Sequence, residues 1–472
     1  MKKVVLSALA ATIVTSALYA ESMTLFTDPK TGQVYTSAGE GRVEMGDFID
    51  AKSVDMALRD TESKSAEYQD KTDKYIDKDK KNWSNKLKLG GYMQFRNTQW
   101  IDGQQDMKPA VAGNQPFGGY WADKSTTDSG SFLIRRARLI LSGSAGDHLD
   151  VYIQPDFGST PQGATNGNFG QLRDFYGDIN IDKEKVHRVR VGQSKVPYGF
   201  ENMQSSSKRL TLDRNDAFNS AVKDERDIGA FYYYTPVAIQ DLFKEIDDMG
   251  LKSTGNYGMF AFGAYNGQGA NNTEKNGNNH IVSRFTYPFK TESGQIFEFG
   301  IQGYKGQYAN NPTATTTGSS TIADERIGIS AIMYQQPFGL QAEWTWGKTP
   351  GADVVTGIGG ATPVVSTITE KNLNGGYVQT MYRMTNVLKE GDTLTPFVKW
   401  QYFDGYQKAE TGAPRNKVND WEIGTEWQVA KEVELTGVIH KMNRSDQTAT
   451  GSFGYGDRFQ GTAFRMQVQI NY

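Results

Sequence analysis

The last nine residues alternate strictly: Phe464, Met466, Val468, Ile470 and Tyr472 are apolar, and Arg465, Gln467, Gln469 and Asn471 between them are polar. Successive side chains of an extended strand point to opposite faces, so a period of two makes one greasy face and one wet face. The pattern recurs throughout the chain after Lys86. In Trp421–Val429 the apolar set is Trp421, Ile423, Trp427 and Val429, opposed by Glu422, Gly424, Glu426 and Gln428. In Gln295–Tyr304, Phe297, Phe299 and Ile301 oppose Glu298, Gly300 and Gln302. The alternation predicts sixteen strands, near 86–96, 132–143, 148–157, 170–181, 186–196, 226–234, 256–266, 279–288, 295–305, 325–335, 339–347, 375–384, 393–403, 419–429, 432–442 and 461–472. Each has about the 9–11 residues that a tilted strand needs to cross a bilayer.

Sixteen strands closed into a barrel enclose more volume than side chains can fill, so a water-filled lumen with lipid outside fits the two faces. Closure also pairs every backbone N–H and C=O, as hydrocarbon demands. The fold class expected is all-β, a transmembrane antiparallel β-barrel. The connections agree. Long links 97–131, 158–169, 197–225, 306–324, 348–374, 404–418 and 443–460 are separated by short turns such as Ser144–Asp147, Asp182–Lys185, Gln336–Phe338 and Ala430-Lys431. That is the rule of long external loops and short periplasmic turns. One link breaks it: 235–255 belongs on the short side, yet Val237–Met249 has the pattern of an amphipathic helix. Trp100, Tyr287, Tyr334, Trp346 and Tyr472, near strand ends, suit aromatic girdles.

Composition removes the alternatives. The chain has 472 residues, 51 Gly and 12% aromatics, with no Cys. No disulfide framework, thiolate metal site or cysteine nucleophile is therefore available. The four histidines, His148, His187, His280 and His440, are scattered, and neither a metal nor a cofactor is expected. Mean hydropathy is −0.59, and beyond the first twenty residues no apolar run is long enough for a membrane helix. Formal charge is −3, and −5 without Lys2 and Lys3, so a basic footprint for nucleic acid is missing.

Residues 1–20 have the form of a signal peptide, with Lys2-Lys3 ahead of an apolar Val4–Val14 run and cleavage after Ala20 or Ala17. The expected destination is the bacterial outer membrane, with both termini periplasmic. Residues 21–85 form a separate segment. Leu25–Thr36 reads as a hairpin around Asp28-Pro29-Lys30-Thr31-Gly32, and the Gly-poor, charged stretch from Ile49 to Lys81 reads as helix. Its weak seam (Val54, Leu58, Thr61, Ser65, Tyr68, Thr72, Tyr75) suits either a short coiled coil or a solvated spacer. Residues 86–472 form the barrel.

Candidate chemistry lies on the wet face. The segment Phe132–Leu141 carries Arg135, Arg136 and Arg138. With Ala137, Leu139 and Leu141 toward lipid, Arg136 and Arg138 point inward. Arg135 falls on the lipid-facing parity, which is tolerable only near the rim or through a bulge. Arg188 and Arg190 point inward opposite Val189 and Val191. Guanidiniums in a narrowed pore attract anions and bind oxyanions bidentately. Asp150, Asp156, Asp174, Asp178, Glu298, Glu343, Glu422 and Glu426 share that face and offer those arginines partners, and a general diffusion pore with a transverse field needs both signs. Pro197–Glu225 is the natural constriction loop, with Lys208, Arg209 and Arg214 among its charges; it either folds into the lumen or caps the outside.

Three segments carry a family resemblance: Leu87-Lys88-Leu89-Gly90-Gly91, Arg135-Arg136-Ala137-Arg138-Leu139, and Val191-Gly192-Gln193-Ser194-Lys195-Val196-Pro197-Tyr198-Gly199-Phe200-Glu201. Ser205-Ser206-Ser207 and Asp213-Arg214-Asn215 follow. In this order the chain resembles the phosphate-selective porins O and P, chiefly over 86–235. The resemblance implies a trimeric outer-membrane channel in which Arg135, Arg136 and Arg190 line an anion constriction, against the parity of Arg135. Two departures keep phosphate specificity from carrying over. The loop Gly306–Ala323 has no Arg or Lys where those porins have an arginine ladder, and Asn202 stands where they have lysine. Arg173 and Lys195 add charge that the pattern does not require.

The function expected is a passive porin for small hydrophilic solutes, anion-preferring, embedded in outer-membrane lipid and lipopolysaccharide as a homotrimer. The alternatives are a non-selective diffusion porin and a surface adhesin that presents Tyr265–Asn279 and Asn310–Thr321. An enzyme has no support: Gly-x-Ser-x-Gly is absent, and no histidine sits with a nucleophile and an acid.

Overall fold

The computed structural model describes residues 22–49, 51–81, 87–103, 131–158, 170–310, 316–352, 366–409, 413, 415–446 and 458–472. The leader expected over 1–20 lies outside the described residues, as do residues 104–130, 159–169, 353–365 and 447–457 of the long links. Met1–Asn85 and Lys86–Tyr472 form two compact units. In the first, β1 (Ser22–Thr27) pairs with β2 (Val34–Tyr35) and β3 (Val43–Ile49). Helix α1 (Ala51–Lys81) follows. Its described ion pairs are spaced one helical turn apart: Arg59–Asp55 at 3.0 Å, Lys64–Asp60 at 2.6 Å and Lys71–Glu67 at 2.7 Å, which is the spacing that supports a solvated helix.

The second unit is a closed barrel. Its strands are β4 (Lys88–Asp102), β5 (Ser131–Ser144), β6 (Leu149–Asp156), β7 (Gln171–Asn180), β8 (His187–Lys195), β9 (Arg226–Tyr234), β10 (Phe260–Tyr265), β11 (His280–Lys290), β12 (Ile296–Ala309), β13 (Thr316–Gly318), β14 (Thr321–Met333), β15 (Phe338–Ala352), β16 (Ser366–Tyr382), β17 (Met384–Thr385), β18 (Thr393–Tyr406), β19 (Arg415–Ala430), β20 (Val433–Asp446) and β21 (Arg458–Asn471). β13 and β17 are fragments at strand ends, so sixteen strands span, and β21 closes antiparallel on β4. Each spanning strand expected from the alternation is present.

The alternation works as polarity demands. On β11, Ile281, Phe285 and Tyr287 are 44–51% exposed on the outside, while Val282, Arg284 and Thr286 between them are buried on the inside. Tyr334 corrects one expectation. It is 1% exposed and its hydroxyl donates to Glu298 Oε2 at 2.7 Å, so it faces inward rather than joining a girdle.

The link that broke the loop rule contains a helix, α4 (Val237–Asp248), introduced after two single-turn helices, α2 (Phe200–Met203) and α3 (Asp216–Asn219). Its Phe243 and Ile246 are buried with Phe200, Leu251, Ile296, Ile332 and Tyr334. The helix is amphipathic because it packs on the inner face at the short-turn end. Apolar packing is therefore found inside this barrel, wherever a segment of chain enters it.

Candidate functional site

The segment between β8 and β9 enters the lumen. From Val196 to Glu225, 22 of the 30 residues are buried, and the segment's partners are inward side chains of strands across the barrel. Gly199, at φ 84°, turns the chain inward, and a Cβ there would come within 2.6 Å of Phe218, so the position demands glycine. Asn215 caps α3 by accepting from the Phe218 N–H at 3.0 Å. Glu343 on β15 accepts from the backbone N–H groups of Phe200 at 2.6 Å and Glu201 at 2.8 Å. Tyr198 hydrogen-bonds Thr345 at 2.6 Å. Asp213 is held by Arg96 of β4 at 2.9 Å and Arg465 of β21 at 2.8 Å. Arg326 of β14 donates to Ala217 O at 2.9 Å.

Glu201 anchors the middle of the segment. Its Oε1 meets Lys399 Nζ at 2.5 Å, and its Oε2 accepts from the N–H and side-chain amide of Asn215 at 2.7 and 2.6 Å. Burial pushes the Glu201 carboxyl up, but Lys399, Arg209 and the Asn215 N–H outweigh it and hold the group below its ordinary value.

The bulge considered for Arg135 is present. Gln94 of β4 pairs with Arg136 and Phe95 pairs with Ile134, which leaves Arg135 without a partner in that ladder. Parity therefore inverts across Arg135. Phe132 and Ile134 face out, at 69% and 40% exposure, whereas Arg136 and Arg138 are 5% and 2% exposed inside. One extra residue in a strand re-aims a side chain in this way. Arg135 is half-buried, and its charge acts on Arg136 together with those of Arg138 and Arg209.

The remaining cations divide by their partners. Arg138 meets Asp156 Oδ2 and the Tyr92 hydroxyl, each at 2.7 Å. Arg190 makes a bidentate pair with Asp178 at 2.7 and 2.8 Å and lies 3.8 Å over the Tyr176 ring. Arg188 bonds the Asn256 carbonyl and lies 3.9 Å from Asp178. Arg173 lies 3.3 Å from Asp224 and 3.7 Å from Glu225, and Arg214 is 3.1 Å from Glu225. Lys195 donates to the carbonyls of Met203 at 2.8 Å and Gln204 at 2.5 Å, tying the segment to β8. Lys208 pairs with Asp247 of α4 at 2.6 Å. Three arginines differ. Among the described residues no carboxylate lies within ion-pair distance of Arg135, Arg136 or Arg209. Arg136 Nη1 donates to Gln94 Oε1 at 2.8 Å, while its Nε, the Arg135 Nε, and Nε and Nη1 of Arg209 are buried without partners.

The model of the family described as phosphate-selective porin O and P matches residues 115–472. The chain belongs to this family. No curated protein sequence matches it. Among solved structures it is similar to an anion-selective porin from Comamonas acidovorans, at 13% identity and TM-score 0.46, covering 82% of this chain and 99% of that one. It is also similar to OmpF from Salmonella typhi, solved with daunomycin, at 11% identity and TM-score 0.48, covering 82% and 97%. A trimer form of OmpT from Vibrio cholerae matches at 8% identity and TM-score 0.43, covering 82% and 99%. The porin is thus an outer-membrane protein, and its family and barrel are those of a channel.

Several lumen cations of the porin were not singled out from sequence. Arg226 bonds Asp174 and Glu225, Arg444 bonds Asp420 and Asp216, and Arg284 bonds Glu298. Strand parity alone would have found Arg284, which shares its face with buried Val282 and Thr286, and Arg444, which shares its face with His440 and Met442. Arg226 falls on the parity of outward Ile228, and only the structure shows it buried against Asp174.

Proposed function

We propose that this porin is a passive channel that prefers small hydrophilic anions. The observation that carries the reading is the group of Arg135, Arg136 and Arg209, from the wall and from the inserted segment, with no carboxylate partner among the described residues. Among those residues Arg136 and Arg209 keep only neutral partners, Gln94 Oε1 at 2.8 Å and Leu212 O at 3.3 Å, and their Nε groups, like that of Arg135, have none. Buried donors left unpaired are costly, and a passing oxyanion satisfies them. Their field acts where the lumen is narrowed and partly desolvated, so it is screened less than in bulk water. Inorganic anions are the solute class, phosphate among them; the lysine-free, arginine-free Gly306–Ala323 and Asn202 argue against the family's full specificity. The porin is exported by its 1–20 leader, sits with long loops outside and termini in the periplasm, and works as a homotrimer among outer-membrane lipid and lipopolysaccharide.

Planar-bilayer recording under a chloride salt gradient tests this. The wild type should show an anion-selective reversal potential, reduced in Arg136→Ala and Arg209→Ala and less affected in Arg190→Ala. Cation preference in the wild type would refute the reading. A general diffusion pore is the second reading, favoured by the many carboxylates on the same lumen wall. It predicts equal effects for all three substitutions.

A further inference from the structure

The outward surface holds a built site at the long-loop end. A cavity of about 650 Å3 opens between β19, β20, β21 and β4, lined by Trp421, Lys441, Asn419, Asn443, Gln460 and Asp102. These side chains face out, because Asp420, Met442, Arg444 and Ala463 beside them are buried inside. The concavity has a cause in the ladder. Thr462 pairs with Asp102 and Ala463 with Trp100, so Ile101 is left over and the edge of the sheet bends. Gly103, at φ 74°, then passes so close to β21 that a Cβ would come within 2.2 Å of the Gln460 carbonyl oxygen. Asn419 is held by the Trp400 indole N–H at 2.8 Å.

Depth and charge narrow the ligand. Two residues toward the short-turn end on the same outer face, Ile423, Ile439 and Phe464 are exposed by 57%, 47% and 38%. They belong to the hydrocarbon belt, so the cavity lies at the headgroup level, where an indole is at home. Two other outward lysines are neutralised: Lys348 meets Glu370 at 2.7 Å and Lys305 meets Glu325 at 3.4 Å. Lys441 makes no ion pair among the described residues.

We propose that this cavity binds the headgroup of a phosphorylated glycolipid of the outer leaflet. Lys441 takes a phosphate as a charge-assisted contact. Trp421 covers the apolar face of a sugar ring. The amides of Asn419, Asn443 and Gln460 and the Asp102 carboxylate meet its hydroxyls. Acyl chains run down over Ile423, Ile439 and Phe464. The inference goes beyond the channel reading, since it concerns the outside of the wall and leaves selectivity untouched.

Native mass spectrometry of the full-length protein, taken from phosphatidylcholine nanodiscs doped with lipid A or with its dephosphorylated form, tests it. Heat-dependent gel mobility first confirms that each variant is folded. Wild type should retain lipid A. Lys441→Ala and Lys441→Gln should weaken retention about tenfold, Trp421→Ala should weaken both lipids, and Lys348→Ala should change nothing. Equal retention by wild type and Lys441→Ala overturns the proposal. So does displacement of lipid A by millimolar inorganic phosphate, which marks a free-anion site. A change in oligomer mass without a change in glycolipid per chain also overturns it, since the cavity is then a contact between copies.

Discussion

Two sets of cations share one lumen. Lys399, Arg96, Arg465 and Arg326 reach the inserted segment 196–225 and are held by its carboxylates and carbonyls. Arg135, Arg136 and Arg209 lie near one another with no carboxylate at ion-pair distance among the described residues. The same chemical groups thus hold the architecture in one place and are left to act on solutes in the other. What separates them is the partner, and the two roles should come apart under mutation.

The largest effect is expected where the partner is removed from an occupied cation. Lys399→Met leaves Glu201 buried, at 2% exposure, without its counter-charge, and breaking a buried pair from one side costs roughly 3–5 kcal/mol. The heat-dependent gel mobility of the folded barrel should change at a lower temperature, and single-channel current should become noisy as the segment loosens. A quiet, thermally unchanged channel would erase the distinction between the two sets.

Next in size is the open set. Arg136→Ala with Arg209→Ala should lower the unfolding temperature less than Lys399→Met, since Arg209 supports Glu201 only at longer range, and should move the reversal potential toward cations. A unit charge at about 4 Å in a water-like medium is worth ~1 kcal/mol, or about fivefold in ion partition. Asp178→Asn should act in the opposite direction and less strongly. It releases Arg188 and Arg190, now neutralised by that carboxylate, and should raise anion preference in the same recording.

The smallest effect concerns acid. The Glu201 carboxyl is held below its ordinary value, so its share of the docking free energy is complete above the ordinary Glu range, at pH ~4.5. It is lost as pH falls through the lower folded value. Conductance recorded at decreasing pH should be steady to that range and fluctuate below it. Fluctuation setting in at neutral pH would assign the docking to another group.

Much of the fold could be read from residue order. The pairs Phe297/Glu298 and Ile423/Glu422 already carry the two-faced strand, and the unequal links carry the two ends of the barrel. The amphipathic Val237–Met249 stood out as an exception, yet its reason was invisible: Phe243 and Ile246 pack on Phe200, a residue of a different loop. Tyr334 differs: it continues the inward parity of Arg326, Ser330 and Ile332, so the face, and not nearness to a strand end, decides that it points into the lumen.

Arg135 shows the limit within the site. A period of two, counted from Ala137, Leu139 and Leu141, assigns it to lipid. A single residue without a partner in the β4–β5 ladder inverts the count, and only the pairing of Gln94 with Arg136 and Phe95 with Ile134 records this.

By itself, then, the order of residues determined sixteen strands, their wet and greasy faces, and a store of lumen charge of both signs. These follow from alternation, which is local. Tertiary structure decided which arginines are neutralised, where parity slips, and that 196–225 lies inside. Lys399 meets Glu201 across 198 positions of chain, and Arg465 meets Asp213 across 252. Whether a guanidinium offers its field to a solute depends on such distant neighbours, because a charge at ion-pair distance cancels that field wherever the chain brings it from.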